Sequence, residues 1–433
     1  MMSIFKRSIS YGILTCLTIF LVRALKGSLS IRIQRILAKI EDISYSSIIL
    51  MEEVPTSIEN DTTRSSCQGS LQCDLEALFA KRRLILELAC ENIDTIVKLK
   101  HSKSALEELI NFHKKIYSLD YNYFNKLKHS PCKSPKRRKT NIFRVKRFTD
   151  LLACLPPKSG TTNFQRALAI LEAGGVDKVK PEDLEIPKLF HMITRIKLNE
   201  SYLSDPSLEH VKFKLANVRN PFARLYSGWN DKFKLESQYD KFYKLYSPGI
   251  RPFEGQFPKD NLHRVSFNSF VAFVAANNNE NVHDWHWTSQ YLHCSPCLLK
   301  YKYITHLKHA ANETAYLLHT FGVDNITHVP GKEMDNRYDK PINDHTTGPE
   351  DYWRTTPRDL IIDVYRHYFQ DFLTFGFSPE SVMKYINAGL DGNETIRNKY
   401  ESNKKLSRTH INHHMENLPP FAVPELGEYN ICN

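Results

Sequence analysis

Residues Leu151–Ile170 read LLACLPPKSGTTNFQRALAI. An apolar run ends at two prolines, Lys158 to Thr162 make a turn of small residues, and an amphipathic helix begins near Asn163. Strand, loop and helix in that order aim backbone N–H groups and a helix N-terminus at one point, which is an anion site. A second stretch, FKLANVRNPFARLYSGWNDKF at Phe213–Phe233, has the same plan. Arg219 stands at the strand end with a planar fork suited to a phosphate, and Arg224 and Ser227 follow on the helix. Each stretch reads as a strand feeding a helix through a tight loop. Two anion sites about sixty residues apart suit a ligand with two separated anionic groups. The first loop is not a Walker A loop, because its lysine precedes its glycine.

The 433 residues hold 41% apolar and 25% charged side chains, a globular composition that excludes a disordered, collagen-like or polytopic membrane chain. The surplus of 59 basic over 48 acidic residues, +11, favours a polyanionic partner without choosing one.

The uncharged run Ile9 to Val22 follows Lys6 and Arg7. Extended to Leu25 with Arg23 snorkelling, it reads as a signal anchor, with residues 1–8 as a cytosolic tail and 9–25 as the span. The alternatives are a signal-peptide core and a buried or interfacial N-terminal helix. Nine cysteines, one of them in that run, and sequons at Asn60, Asn199, Asn312, Asn325 and Asn393 agree with passage through an oxidising secretory lumen. Residues 26–148 read as a largely helical stem, with Leu75, Leu78, Phe79, Leu86, Ile93 and Ile96 at helical spacing and a basic linker over 133–147. Residues 149–379 read as the catalytic domain and the polar 380–433 as a C-terminal appendage. Cys294 and Cys297 form a lone CxxC, open to redox chemistry, half a zinc site or structural disulfides; no second CxxC completes a zinc site, which favours disulfides. His410, His413 and His414 lack a carboxylate or cysteine at ligand spacing, so no metal is expected.

PKSGTTN followed by VRNPFARLYSGW resembles the paired 5′-phosphosulfate and 3′-phosphate motifs of Golgi carbohydrate sulfotransferases. His286–Trp287, LHCSPC at Leu292–Cys297 and DFLTFGFSP at Asp371–Pro379 extend the likeness to the branch of HNK-1, chondroitin 4-O-, dermatan 4-O- and N-acetylgalactosamine 4-O-sulfotransferases. The resemblance implies an α/β, P-loop-like sulfotransferase domain with a central parallel sheet flanked by helices, and 3′-phosphoadenylyl sulfate (PAPS) as donor. It places Pro157, Lys158, Ser159, Gly160, Thr161, Thr162 and Asn163 around the 5′-phosphosulfate, and Arg219, Arg224 and Ser227 at the 3′-phosphate. The branch often has Val-Gly-Cys or Val-Ala-Cys after the motif lysine, where this chain has Ser159-Gly160-Thr161. In-line sulfuryl transfer needs a cation at the departing oxygen and a base at the acceptor hydroxyl. Lys158 suits the first role and His286 the second, with His191 as the other candidate base. The expected enzyme is a single-pass type II Golgi membrane protein acting on a glycan, O4 of N-acetylgalactosamine in chondroitin or dermatan, with no nucleic-acid partner. A glycan-binding protein without catalysis, an N-glycan or HNK-1-type acceptor, and a kinase-like enzyme are the alternatives.

Overall fold

Alternation in LLAC decides how the sheet is packed: Leu152 and Cys154 point to one side and Leu151 and Ala153 to the other, and all four are fully or almost fully buried. A strand apolar on both faces needs helices on both. The computed structural model describes residues 71–417 apart from 103, 125–137, 148–149, 185–191, 199–207, 209, 234–235, 256–264, 278–281, 330–348 and 392–393. It contains a five-stranded sheet of β1 (Arg138–Val145), β2 (Leu151–Cys154), β3 (Thr194–Leu198), β4 (Phe213–Val218) and β5 (Tyr303–His306), in the order β3-β1-β2-β4-β5.

Only part of the expected parallel sheet is parallel. β2, β4 and β5 run parallel, with Cys154 opposite Ala216 and Val218 opposite His306, while β1 pairs antiparallel with both β2 and β3. The stretch expected as a basic linker thus contributes β1, whose Ile142, Phe143 and Val145 are buried between the two layers. One layer packs the helices Thr161–Ala173 and Ala310–Phe321 on the sheet through Phe164, Leu168, Leu317 and Phe321. The other is larger and rich in aromatics, built around Phe222, Trp229, Phe270, Trp287 and Phe372.

The helices expected to form a stem belong to this core. Leu71–Glu91, Ile93–His101 and Leu106–Tyr117 bury Ile85, Leu86, Ile96, Leu109 and Ile116 within it, and Gly69–Asn433 is a single compact unit. Arg82 explains why the first of them cannot stand apart. Its guanidinium is buried, forks onto both oxygens of Glu313 at 2.8 and 2.9 Å and donates to the Ile304 carbonyl of β5 at 2.7 Å. The C-terminal helix Glu394–Glu416, expected in an appendage, also docks, burying Tyr400, Ser407 and Ile411. Among the described residues no helix is long and apolar enough to cross a membrane; the run 9–25 lies outside them.

The CxxC cysteines are disulfide-bonded, though not to each other: Cys294 bonds Cys154 at the end of β2, and Cys297 bonds Cys90 on the first helix. Cys73 is disulfide-bonded as well.

Replacing Arg82 by Met strands the Glu313 carboxylate in the core. A loss of about 3–5 kcal/mol is expected in urea unfolding, most of it recovered when Glu313→Leu is added. His113 is buried between Tyr365 Oη at 3.0 Å and the Phe377 carbonyl at 2.8 Å, and burial holds its pKa down at about 4. Below pH 6.5 the unfolded chain binds a proton that the folded one refuses, so stability falls as pH drops from 6.5 towards 4. A His113→Leu variant should remove up to about 3 kcal/mol of that decline, measured as urea midpoints across this range.

Candidate active site

The carboxyl ends of β2 and β4 lie side by side, and both loops expected from the sequence to bind anions leave from there. In an open α/β sheet this is where ligands sit. The first loop is held by its carbonyls. Arg224 Nε donates to Pro157 O at 2.8 Å, Arg219 Nη1 to Lys158 O at 3.2 Å, and Asn217 Nδ2 to Ser159 O. Three consecutive carbonyls are therefore each met by a side chain from β4 or the turn and helix that follow it. Lys158 has φ +70° and Gly160 φ +77°, both left-handed. That conformation costs a non-glycine residue roughly 1–2 kcal/mol, which the three bonds offset. At Gly160 a Cβ would stand 2.7 Å from Leu307 Cδ1, so both backbone angle and space call for glycine.

The other loop residues divide by where their polar atoms go. Ser159 and Thr161 turn their hydroxyls back to Pro156 O, so they shape the turn. Asn163 Oδ1 accepts from Arg166 at 2.8 Å, and Thr162 is half-buried in the first helical turn, where N–H groups lack helical partners. Pro157 is buried. On the second motif, Arg219 and Ser227 are half-buried. Arg224 departs from the expected anion-binding role: it is 1% exposed and its guanidinium also donates to Thr288 O at 2.7 Å and Trp285 O at 3.1 Å. Helix Pro221–Phe233 turns that side chain inward, where it ties three loops together.

Lys158 Nζ reaches Asp231 Oδ2 at 3.1 Å, and Lys232 Nζ reaches the same oxygen at 2.9 Å. Burial pushes the Asp231 carboxyl up, but the two ammonium groups outweigh it and hold the pKa at about 2. His286 lies beside them. Its Nδ1 and its own backbone N–H both meet Asp284 Oδ1, so Nδ1 carries the proton. Nε2 has no hydrogen-bond partner among the described residues. Burial lowers the pKa of His286; Asp284 opposes the shift, and Lys232 and Lys158 reinforce it. The ring is thus neutral at neutral pH, as a base must be, whereas Asp231 is far too acidic to accept a proton there. His191 lies outside the described residues.

Sequence reasoning missed Asp231, Lys232, Asp284, Gln290 and Asp371. Asp231 could have been found, being four residues beyond Ser227 and so on the same helix face. Gln290 could not. Its side chain clips Arg219 at both backbone groups, accepting from N–H at 2.9 Å and donating to C=O at 2.8 Å, across 71 residues. Asp371 in turn accepts from Ser289 Oγ and from the backbone N–H groups of Gln290 and Tyr291, both at 2.8 Å.

A family model described as "Sulfotransferase family" matches residues 141–378, more than half of the chain. Carbohydrate sulfotransferase 14 of Danio rerio is 27% identical over 267 residues, covering 58% of this chain and 67% of that protein. Carbohydrate sulfotransferase 12 of Mus musculus is 25% identical over 258 residues, with 54% and 59% covered. Carbohydrate sulfotransferase 10 of Rattus norvegicus is 26% identical over 241 residues, with 52% and 64% covered. The match thus spans about three fifths to two thirds of these relatives' length. No solved structure matches.

Exchanging Gln290 for Leu removes the side chain that meets both backbone groups of Arg219. Affinity for adenosine 3′,5′-bisphosphate is expected to fall about tenfold in calorimetry, while the circular dichroism spectrum stays that of the folded protein.

Proposed function

The chain belongs to the sulfotransferase family, and from that premise we propose that it transfers a sulfuryl group from PAPS to a glycan hydroxyl. One observation supports this best: a lysine and an arginine from two strand-end loops are bonded together beside a neutral histidine. Lys158 and Arg219 fit a donor with two separated anionic groups, with Ser227 beside the second and the first turn of Thr161–Ala173 beside the first.

Bound PAPS supplies a sulfuryl group whose bond to the phosphate oxygen breaks, leaving its electron pair on that oxygen, while a new S–O bond forms to the acceptor. Lys158 meets the charge that develops at the departing oxygen. His286 Nε2 takes the acceptor's proton, and Asp284 fixes the tautomer and stabilises the imidazolium that results. Arg224 and Gln290 keep the two loops in register and touch no substrate.

The acceptor in this reading is O4 of N-acetylgalactosamine in chondroitin or dermatan. The names of the relatives point to a carbohydrate, and the +11 surplus suits a uronate-bearing polymer. The paired cysteines, together with Asn312 and Asn325 exposed in sequons, suit an enzyme of the Golgi lumen held by the run 9–25.

With ³⁵S-labelled PAPS and a panel of desulfated chondroitin, dermatan, heparosan and N-glycans, label is expected on O4 of N-acetylgalactosamine; label elsewhere reassigns the acceptor. Lys158→Ala should lose at least about 100-fold in rate while still binding adenosine 3′,5′-bisphosphate, about 3 kcal/mol of transition-state stabilisation. The rate should fall on acidification only below pH 6.5, as His286 protonates. Asp284→Asn, which removes the group that raises this pKa, should move that limb to still lower pH.

A further inference from the structure

The last turn of helix Pro221–Phe233 is an unfavourable place for a carboxylate, because the helix dipole and the local carbonyls are negative there. Asp231 occupies it nonetheless, only 17% exposed, with one oxygen shared by the ammonium groups of Lys158 and Lys232. Lys232 also stands 5.2 Å from the centroid of Phe242, whose ring lies 6.0 Å from that of His286. One ammonium thus comes from the donor loop and the other lies towards the base.

We propose that Asp231 is a positioning residue for sulfuryl transfer, holding the ammonium groups of Lys158 and Lys232 as a pair on either side of the reacting sulfur. This deepens the PAPS-dependent reading and rests on it. In the ground state the negative charge of a phosphosulfate is spread over its non-bridging oxygens, and an untethered lysine would settle there. Binding of that kind lowers KM and gains nothing in the chemical step. A carboxylate anchored to the helix holds Lys158 back from those oxygens, so that its attraction strengthens as charge builds on the departing one. Lys232, tied to the same oxygen, stays within reach of the sulfuryl oxygens on the acceptor side. Without Asp231 the two cations lose the carboxylate oxygen they share and repel each other.

The signature is a split between binding and turnover. Asp231→Asn keeps the size and removes the charge, so kcat should fall about 10- to 100-fold. Affinity for adenosine 3′,5′-bisphosphate should rise about threefold or more, because an anion beside a polyanion has gone. Asp231→Glu, which restores the carboxylate, should recover much of kcat and return affinity towards that of the wild type. A merely structural role predicts the opposite sign, with affinity and thermal stability falling together. Wild-type kcat and affinity in Asp231→Asn would overturn the proposal while leaving the sulfuryl-transfer reading intact. A wild-type enzyme that neither labels any acceptor nor binds adenosine 3′,5′-bisphosphate would overturn both.

Discussion

Pro157, Lys158 and Ser159 present three successive carbonyls to the β4 side of the sheet, and each is met by a side-chain donor from Arg224, Arg219 and Asn217 in turn. The site depends on this seam. An unmet buried carbonyl costs roughly 1–3 kcal/mol, so the loop and the β4 turn keep one mutual geometry. The same bonds hold Lys158 in a left-handed conformation that a lysine adopts only when its surroundings impose it. That conformation, in turn, accompanies a side chain that reaches Asp231 on the neighbouring helix.

Support for the seam comes from a part of the chain that touches no ligand in the proposed mechanism. Asp371 caps the short helix Gln290–Cys294, Gln290 clips the Arg219 backbone, and Cys294 closes back onto Cys154 at the base of the donor loop. Both loops are thus tied to one small element. Because one tie is covalent, the geometry belongs to an oxidising environment; reduction would release the loop from the helix that aligns its partner.

The electrostatics follow from burial as much as from charge. His286 and Asp231 are neighbours of the same two lysines, yet one is held neutral and the other ionised. For the imidazole, desolvation and the lysines push in the same direction. For the carboxylate they oppose each other, and the lysines win. Groups driven apart in this way suit the different roles proposed for them, a base and a fixed counter-charge.

Several features were legible from residue order alone. LLAC with its two prolines, and the glycine in KSGTT, dictate a buried strand ending in a tight turn, because only certain residues tolerate those backbone states. Arg219 before Asn220 and Pro221 marks the second loop in the same local way. What could not be read was set at long range. The helical spacing of Leu75 to Ile96 is the same for a stalk as for a core helix, and Arg82 meeting Glu313 across 231 residues decides between them. Basic residues around β1 resemble a linker until Ile142, Phe143 and Val145 find two hydrophobic layers. Arg224 has the chemistry of an anion ligand, and only the inward face of its helix makes it a brace. The sequence by itself therefore determined where the two strand-end turns fall and which lysine and arginine they carry, since these follow from backbone sterics and residue order. The tertiary structure decided which charges share an oxygen, which cysteines pair and which histidine stays neutral, since proximity and desolvation exist only once the chain is packed.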